Sequence, residues 1–267
     1  MSAIDDLFVR LRSEGKKAFL PFVTAGDPDL RMTTDLLKML DEAGCSMAEV
    51  GIPYSDPIAD GPVIQASYTR ALNKKIKLKD IFAAIEPVAK TLTMPLVTMV
   101  SYAVIYRVGL AEYVDQAKAA GFAGAIVPDL LVEESAEFSA ICKAKDFSLI
   151  QLVTPTTPPE RALKIAELSS GFLYFVSVTG ITGARTELPP ELVDRVKWLR
   201  DRTTLRICIG FGVSRPEHVK LLSPVADGLI VGSAIVKHLE SAEQGDRAKS
   251  LSDIKSLAKE LMDAMNS

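Results

Sequence analysis

The chain has 267 residues, of which 48% are hydrophobic and 24% charged, and a net charge of −3. That hydrophobic content is enough for a sizeable core and excludes an intrinsically disordered chain. The mild acidity offers no basic face, so neither nucleic acid nor an anionic membrane is expected as a partner.

In chain order, Ile4, Leu7, Phe8 and Leu11 fall at helical spacing, with Ser2, Asp5 and Asp6 near the start. This predicts an N-terminal amphipathic helix with acids at its positive end. The opening lacks the basic-then-apolar pattern of a signal peptide and carries acids that a transit peptide avoids. No segment reaches the ~18 apolar residues that span a bilayer. A cytoplasmic protein is expected. Eight short apolar runs follow, at 18–24, 47–51, 95–101, 124–128, 148–154, 172–177, 205–210 and 228–232. They are nearly continuous in apolar character, as strands buried on both faces are. Helical patterns separate them, at 30–44, 110–121, 132–145, 158–171, 189–201, 215–223 and 246–264. Several open on proline and close on glycine, the usual asymmetry of helix ends.

Eight β/α units in this order predict a single (β/α)8 TIM barrel over residues 1–267, with an extra N-terminal helix and a long insertion after the second strand. An open doubly wound sheet is the weaker reading, because no glycine-rich dinucleotide turn follows the first strand. Cys45, Cys142 and Cys208 are widely spaced and form no CxxC pair, so buried reduced thiols are expected. His218 and His238 read as partly exposed helix residues, and no histidine-based metal site is predicted.

Barrel chemistry sits at the C-terminal ends of the strands. Glu49 interrupts an apolar strand, where a charge costs free energy unless it has a partner or a task. It is a candidate acid/base if apolar neighbours lift its pKa; a salt-bridged rim carboxylate is the plainer reading. The run from Gly51 to Pro62 packs three prolines, two glycines and two aspartates into twelve residues. Such a stiff loop can hold a second carboxylate near the first. The last three strands lead into glycine loops at 178–184, 210–214 and 232–236. Glycine lets backbone N–H groups approach an anion closely, and a helix N-terminus adds positive potential, so a phosphate site is expected there.

The run from Glu49 to Pro62, EVGIPYSDPIADGP, resembles the signature of the tryptophan synthase alpha subunit family. The likeness extends to Leu20–Pro28, Tyr102, Pro128–Leu130, Thr179–Arg185, Gly210–Gly212 and Gly232–Lys237. Ala48 and Tyr54 depart mildly from the pattern, where a larger aliphatic residue and phenylalanine are usual. The resemblance implies retro-aldol cleavage of indole-3-glycerol phosphate to indole and glyceraldehyde 3-phosphate. It implies Glu49 and Asp60 as the catalytic pair. Phe22, Tyr102, Leu130 and Phe211 would form the apolar wall, and Gly183, Gly212, Gly232 and Ser233 the phosphate site. Loops at 53–62, with Pro53 and Asp56, and at 179–188, with Thr182 beside Asp56, would close on ligand and report to a partner. That partner would be a pyridoxal-phosphate beta subunit in an alpha2-beta2 complex, with no cofactor or metal in this subunit. A stand-alone lyase with the same chemistry is the alternative.

Overall fold

The computed structural model describes residues 2–57, 60–177, 190–210, 212–243 and 245–266. Among them, nine strand segments pair in parallel: β1 (Ala18–Thr24), β2 (Ala48–Gly51), β3 (Leu96–Met99), β4 (Phe122–Ile126), β5 (Ser148–Ile150), β6 (Leu152–Val153), β7 (Phe172–Val176), β8 (Arg206–Gly210) and β9 (Gly228–Val231). Their order is β5-β4-β3-β2-β1-β9-β8-β7-β6. The expected strand at 148–154 is thus divided at Gln151. Its first half pairs with β4 and its second with β7. The Gln151 carbonyl accepts from Tyr174 N–H at 3.1 Å, while the Ile150 carbonyl accepts from Val127 N–H at 3.4 Å. One stave changes partner at Gln151 and closes the barrel, so nine segments make eight staves. Staggered registers of this kind belong to tilted, closed sheets.

Alternation explains why the strands are apolar throughout. Leu20, Phe22, Val97, Met99, Ile126, Ile150, Phe172, Tyr174, Cys208 and Ile230 share one core cluster, inside the barrel. Their chain neighbours Phe19, Val23, Leu96, Ala125, Leu149, Leu173, Ile209 and Leu229 share another with the surrounding helices. Each strand therefore buries both faces.

Helix α1 (Ala3–Ser13) precedes β1. Ser2 caps it, accepting from Asp5 N–H at 3.2 Å while the Asp5 carboxylate accepts from Ser2 N–H at 3.0 Å. Its buried face, Ile4, Leu7, Phe8 and Leu11, joins the interior cluster beside Ala18, Met47 and Phe172, all at strand beginnings. Phe8 meets Phe172 edge-on, with ring centroids 6.1 Å apart. The connection from β2 to β3 holds two helices, α3 (Pro62–Asn73) and α4 (Leu78–Ala89), where the sequence suggested only a stiff loop. Helix α2 (Leu30–Glu42) precedes them. Helices α5 (Tyr102–Val108), α6 (Leu110–Ala119), α7 (Ser135–Ala144), α8 (Pro159–Leu168) and α9 (Pro190–Arg200) follow in turn. The last four are α10 (Pro216–Leu222), α11 (Ser233–Val236), α12 (Leu239–Glu243) and α13 (Arg247–Met265). None of the helices among the described residues is long and apolar enough to cross a membrane.

Two histidine expectations are corrected. His218 lies on α10 but is only 2% exposed, because α10 turns it inward. His238 lies in the turn between α11 and α12 rather than in a helix. Cys45, Cys142 and Cys208 are free and buried, and burial raises each thiol's pKa.

Candidate active site

Glu49 lies on β2 in register with Phe22 of β1 and Val97 of β3. Alternation with Met47 and Gly51 turns its side chain into the barrel. It is 1% exposed, and neither carboxylate oxygen has a hydrogen-bond partner. Burial and the nearby Asp60 carboxylate push its pKa up to about 8. Unpaired burial favours the neutral acid, which needs no counter-charge.

Gly51 opens the space above it. A Cβ there would lie 2.4 Å from Phe22 Cζ and 2.9 Å from Tyr68 Oη. Only glycine lets both rings lean across the strand end. The chain then turns through Pro53, Tyr54 and the exposed Asp56, whose carboxylate accepts from Ser55 Oγ at 2.9 Å. Tyr54 packs on Tyr68, with ring centroids 5.8 Å apart. Asp60 N–H donates to the Pro57 carbonyl at 3.1 Å, and Gly61 and Pro62 then start α3. Pro62 suits a first helical turn, where an N–H has no partner in any case. Burial lifts Asp60 to about 6.

Glu49 and Asp60 face a common cavity of about 280 Å³. Phe22, Gly212, Gly232 and Ser233 line it too, so six of the expected site residues meet in one space. Gly212 has φ +77, a left-handed conformation that costs glycine little. Ser233 is the first residue of α11. Buried His218 supports this end: its Nδ1 accepts from Ser214 N–H at 3.4 Å, two residues after Gly212.

Tyr102 and Leu130 are not among the lining residues. Tyr102 opens α5 after β3, and its N–H donates to the Asp129 carboxylate at 2.7 Å. Leu130 is buried in the cluster between strands and helices. Thr182, Gly183 and Phe211, with the loop at 179–188, lie outside the described residues. The apolar lining instead includes Met99, Tyr174, Ile230, Val63 and Ile64. Tyr174 sits where Gly210 makes room: a Cβ on Gly210 would come within 2.3 Å of its hydroxyl oxygen. Strand parity held the signal for three of these. Met99, Tyr174 and Ile230 occupy the inward positions of their strands, as Phe22 and Glu49 do.

A buried acid, a second carboxylate and a glycine-lined far end fit an elongated, partly apolar ligand with an anionic terminus. The family model for the tryptophan synthase alpha chain matches residues 8–266. A tryptophan synthase alpha chain from Rhodopirellula baltica is 54% identical over 270 residues, covering 100% of this chain and 97% of its own. The crystal structure of tryptophan synthase subunit alpha from Legionella pneumophila superposes with a TM-score of 0.90 at 32% identity, over 100% of this chain and 99% of that one. A chain of tryptophan synthase from M. tuberculosis, in an aminoacrylate-bound form, gives 0.87 at 28% identity, over 99% of this chain and 100% of that one. These matches run through both the strands that shape the cavity and the helices around them, and the chain belongs to the tryptophan synthase alpha chain family.

Proposed function

We infer that the chain is a carbon–carbon lyase that cleaves indole-3-glycerol phosphate to indole and glyceraldehyde 3-phosphate, the alpha reaction of tryptophan synthase. The observation that carries the site reading is the unpaired, buried Glu49 carboxyl sharing one cavity with Asp60. With values of about 8 and about 6, Glu49 is mostly protonated near pH 7 and Asp60 mostly ionised. Two carboxyls held apart in this way divide acid and base roles.

Glu49 delivers its proton to indole C3, the carbon that bears the glycerol chain. Asp60 accepts a hydrogen bond from the indole N–H and stabilises the positive charge that grows there. The hydroxyl on the adjacent chain carbon then gives its proton back to Glu49. The C–C bond breaks, its electron pair returns to the ring, and the carbon becomes the aldehyde. Protons balance on Glu49, so the proposed step requires no cofactor or metal in this subunit.

Phe22, Met99 and Tyr174 suit the indole ring as apolar cavity walls. Gly212, Gly232 and Ser233, with Gly183, would hold the phosphate through backbone N–H groups. Phe211 and Thr182 retain the wall and loop roles the family resemblance gives them. So do Tyr102 and Leu130, for a closed, liganded form.

Family membership implies a beta-subunit partner. The proposed assembly is an alpha2-beta2 complex with pyridoxal phosphate in the beta subunit, acting in the cytoplasm. Tyr106, 73% exposed, and Leu131, 54% exposed, follow β3 and β4 at the cavity end and suit a protein-covered surface. Pro53 and Asp56 lie at the same end. The two interleaved cores of one barrel support reading residues 1–267 as one domain. Steady-state assays of indole release, with and without a beta subunit, test the proposal. Indole and glyceraldehyde 3-phosphate in equal amounts are expected, with turnover raised by the partner. Absence of indole overturns it.

A further inference from the structure

Glu49 takes its position from a strand, but Asp60 ends a proline-rich turn outside the sheet. Something else must hold its carboxyl in place. Helix α3 is anchored firmly to the β1 side of the barrel. Arg70 grips Asp27 with two bonds, Nε to Oδ1 at 2.8 Å and Nη2 to Oδ2 at 2.7 Å, and the Asp27 carboxylate is fully buried. One turn earlier, Ser67 Oγ lies 2.7 Å from Thr24 Oγ1 of β1. Lys74 reaches the Pro28 carbonyl. Bidentate, shielded pairs of this kind fix orientation as well as distance.

Gln65, on the first turn of α3, carries that rigidity to the turn. Its Nε2 donates to the Asp60 carbonyl at 2.8 Å and faces the Pro57 carbonyl at 3.3 Å. A primary amide has two N–H donors, so one side chain can serve both carbonyls. Asp60 N–H already donates to Pro57. The Asp60 N–H and the Asp60 carbonyl are therefore both held by hydrogen bonds. Gln65 itself is exposed and does not line the cavity.

We propose that Gln65 is a positioning residue that sets the Asp60 carboxyl against the indole N–H. The proposal rests on the reading of Asp60 given above. A displacement of about 1 Å at a reacting group costs on the order of 10²-fold in rate. An exposed helix residue without a task changes neither rate nor stability appreciably when replaced.

The test compares Gln65→Met, Asp60→Asn and the double variant in the full chain with its beta subunit. Methionine keeps the length and helix preference of glutamine and removes both donors. Gln65→Met is expected to lower kcat for indole release about 10- to 100-fold, with Tm and the Kd for glycerol phosphate unchanged. Because Gln65 acts through Asp60, adding Gln65→Met to Asp60→Asn is expected to cost less than about twofold more. The proposal is overturned if Gln65→Met keeps kcat within twofold, if its loss tracks a fall in Tm, or if the two losses multiply in full. Parental turnover in Asp60→Asn would overturn the site reading itself and the proposal with it. A damaged Asp60→Asn beside an unaffected Gln65→Met would overturn the proposal alone.

Discussion

The two ends of the barrel interior are built from the same inward positions and do opposite things. At the N-terminal end, α1 drives Ile4, Leu7, Phe8 and Leu11 against Ala18, Met47 and Phe172. The polar Ser2 is held there, its N–H donating to the Asp5 carboxylate and its hydroxyl lying 3.3 Å from the Ser148 hydroxyl. At the C-terminal end, glycines stand at inward positions 51 and 210, rings lean across the gaps, and a cavity remains. In it sits a carboxyl with no partner for either oxygen. A buried polar group without a partner costs on the order of 1–3 kcal/mol. One end supplies cohesion, and the other spends some of it to keep a neutral, reactive acid.

Substitutions can break this contrast. Glu49→Gln is expected to lower indole release by about 10²–10⁴-fold with the fold intact, as for a lost general acid/base. Turnover within tenfold of the parent would remove Glu49 from its assigned role. Phe8→Ala, at the opposite end, is expected to cost on the order of 3–5 kcal/mol in urea unfolding. The KM of the folded fraction should stay the same, so a large KM change would show that the two ends are coupled. Gly212→Val is expected to weaken glycerol phosphate binding about tenfold, or ~1.4 kcal/mol, by filling the anion end of the cavity. Calorimetric affinity equal to the parent's would move the phosphate elsewhere.

The remaining expectation concerns pH. Glu49 holds its proton up to about 8 in the folded chain, against 4.5 ordinarily. Its contribution to stability is complete below the ordinary value and is lost as pH rises through about 8. Glu49→Gln should remove that decline and raise Tm by a few degrees, about 1 kcal/mol or more, at pH 8–9. A lower Tm there would mean that the ionised carboxylate is stabilised after all. Indole release should also follow a bell-shaped profile, falling above about 8 as Glu49 ionises and below about 6 as Asp60 protonates.

Much of this is legible in the sequence. The eight apolar runs correspond to the staves, and the Glu49–Pro62 signature leads to the cavity. Glu49 stood out because a charge within an apolar strand has few explanations. Phe22, Gly212, Gly232 and Ser233 were also named in advance and line the same space. Tyr174, Met99 and Ile230 were missed, although parity along each strand would have turned them inward with Phe22. Tyr102 and Leu130 come from the family resemblance alone, and a place after a strand end does not by itself say which way a side chain points. Gln65 carries no signal in the sequence, because a polar residue on an amphipathic helix reads as solvated surface.

The local pattern determined the elements: doubly apolar strands, glycine and proline at helix ends, and carboxyls set into a strand and a stiff turn. Each follows from forces that act within a few residues. Tertiary structure decided the rest. Closure at Gln151 depends on β4 and β7 meeting opposite halves of one stave. The burial of His218 depends on how α10 packs. The raised pKa of Glu49 depends on walls drawn from several strands and on Asp60, eleven residues away in sequence. Hydrogen-bond pairing between distant strands, desolvation and the field of a second charge arise only when the barrel brings those segments together.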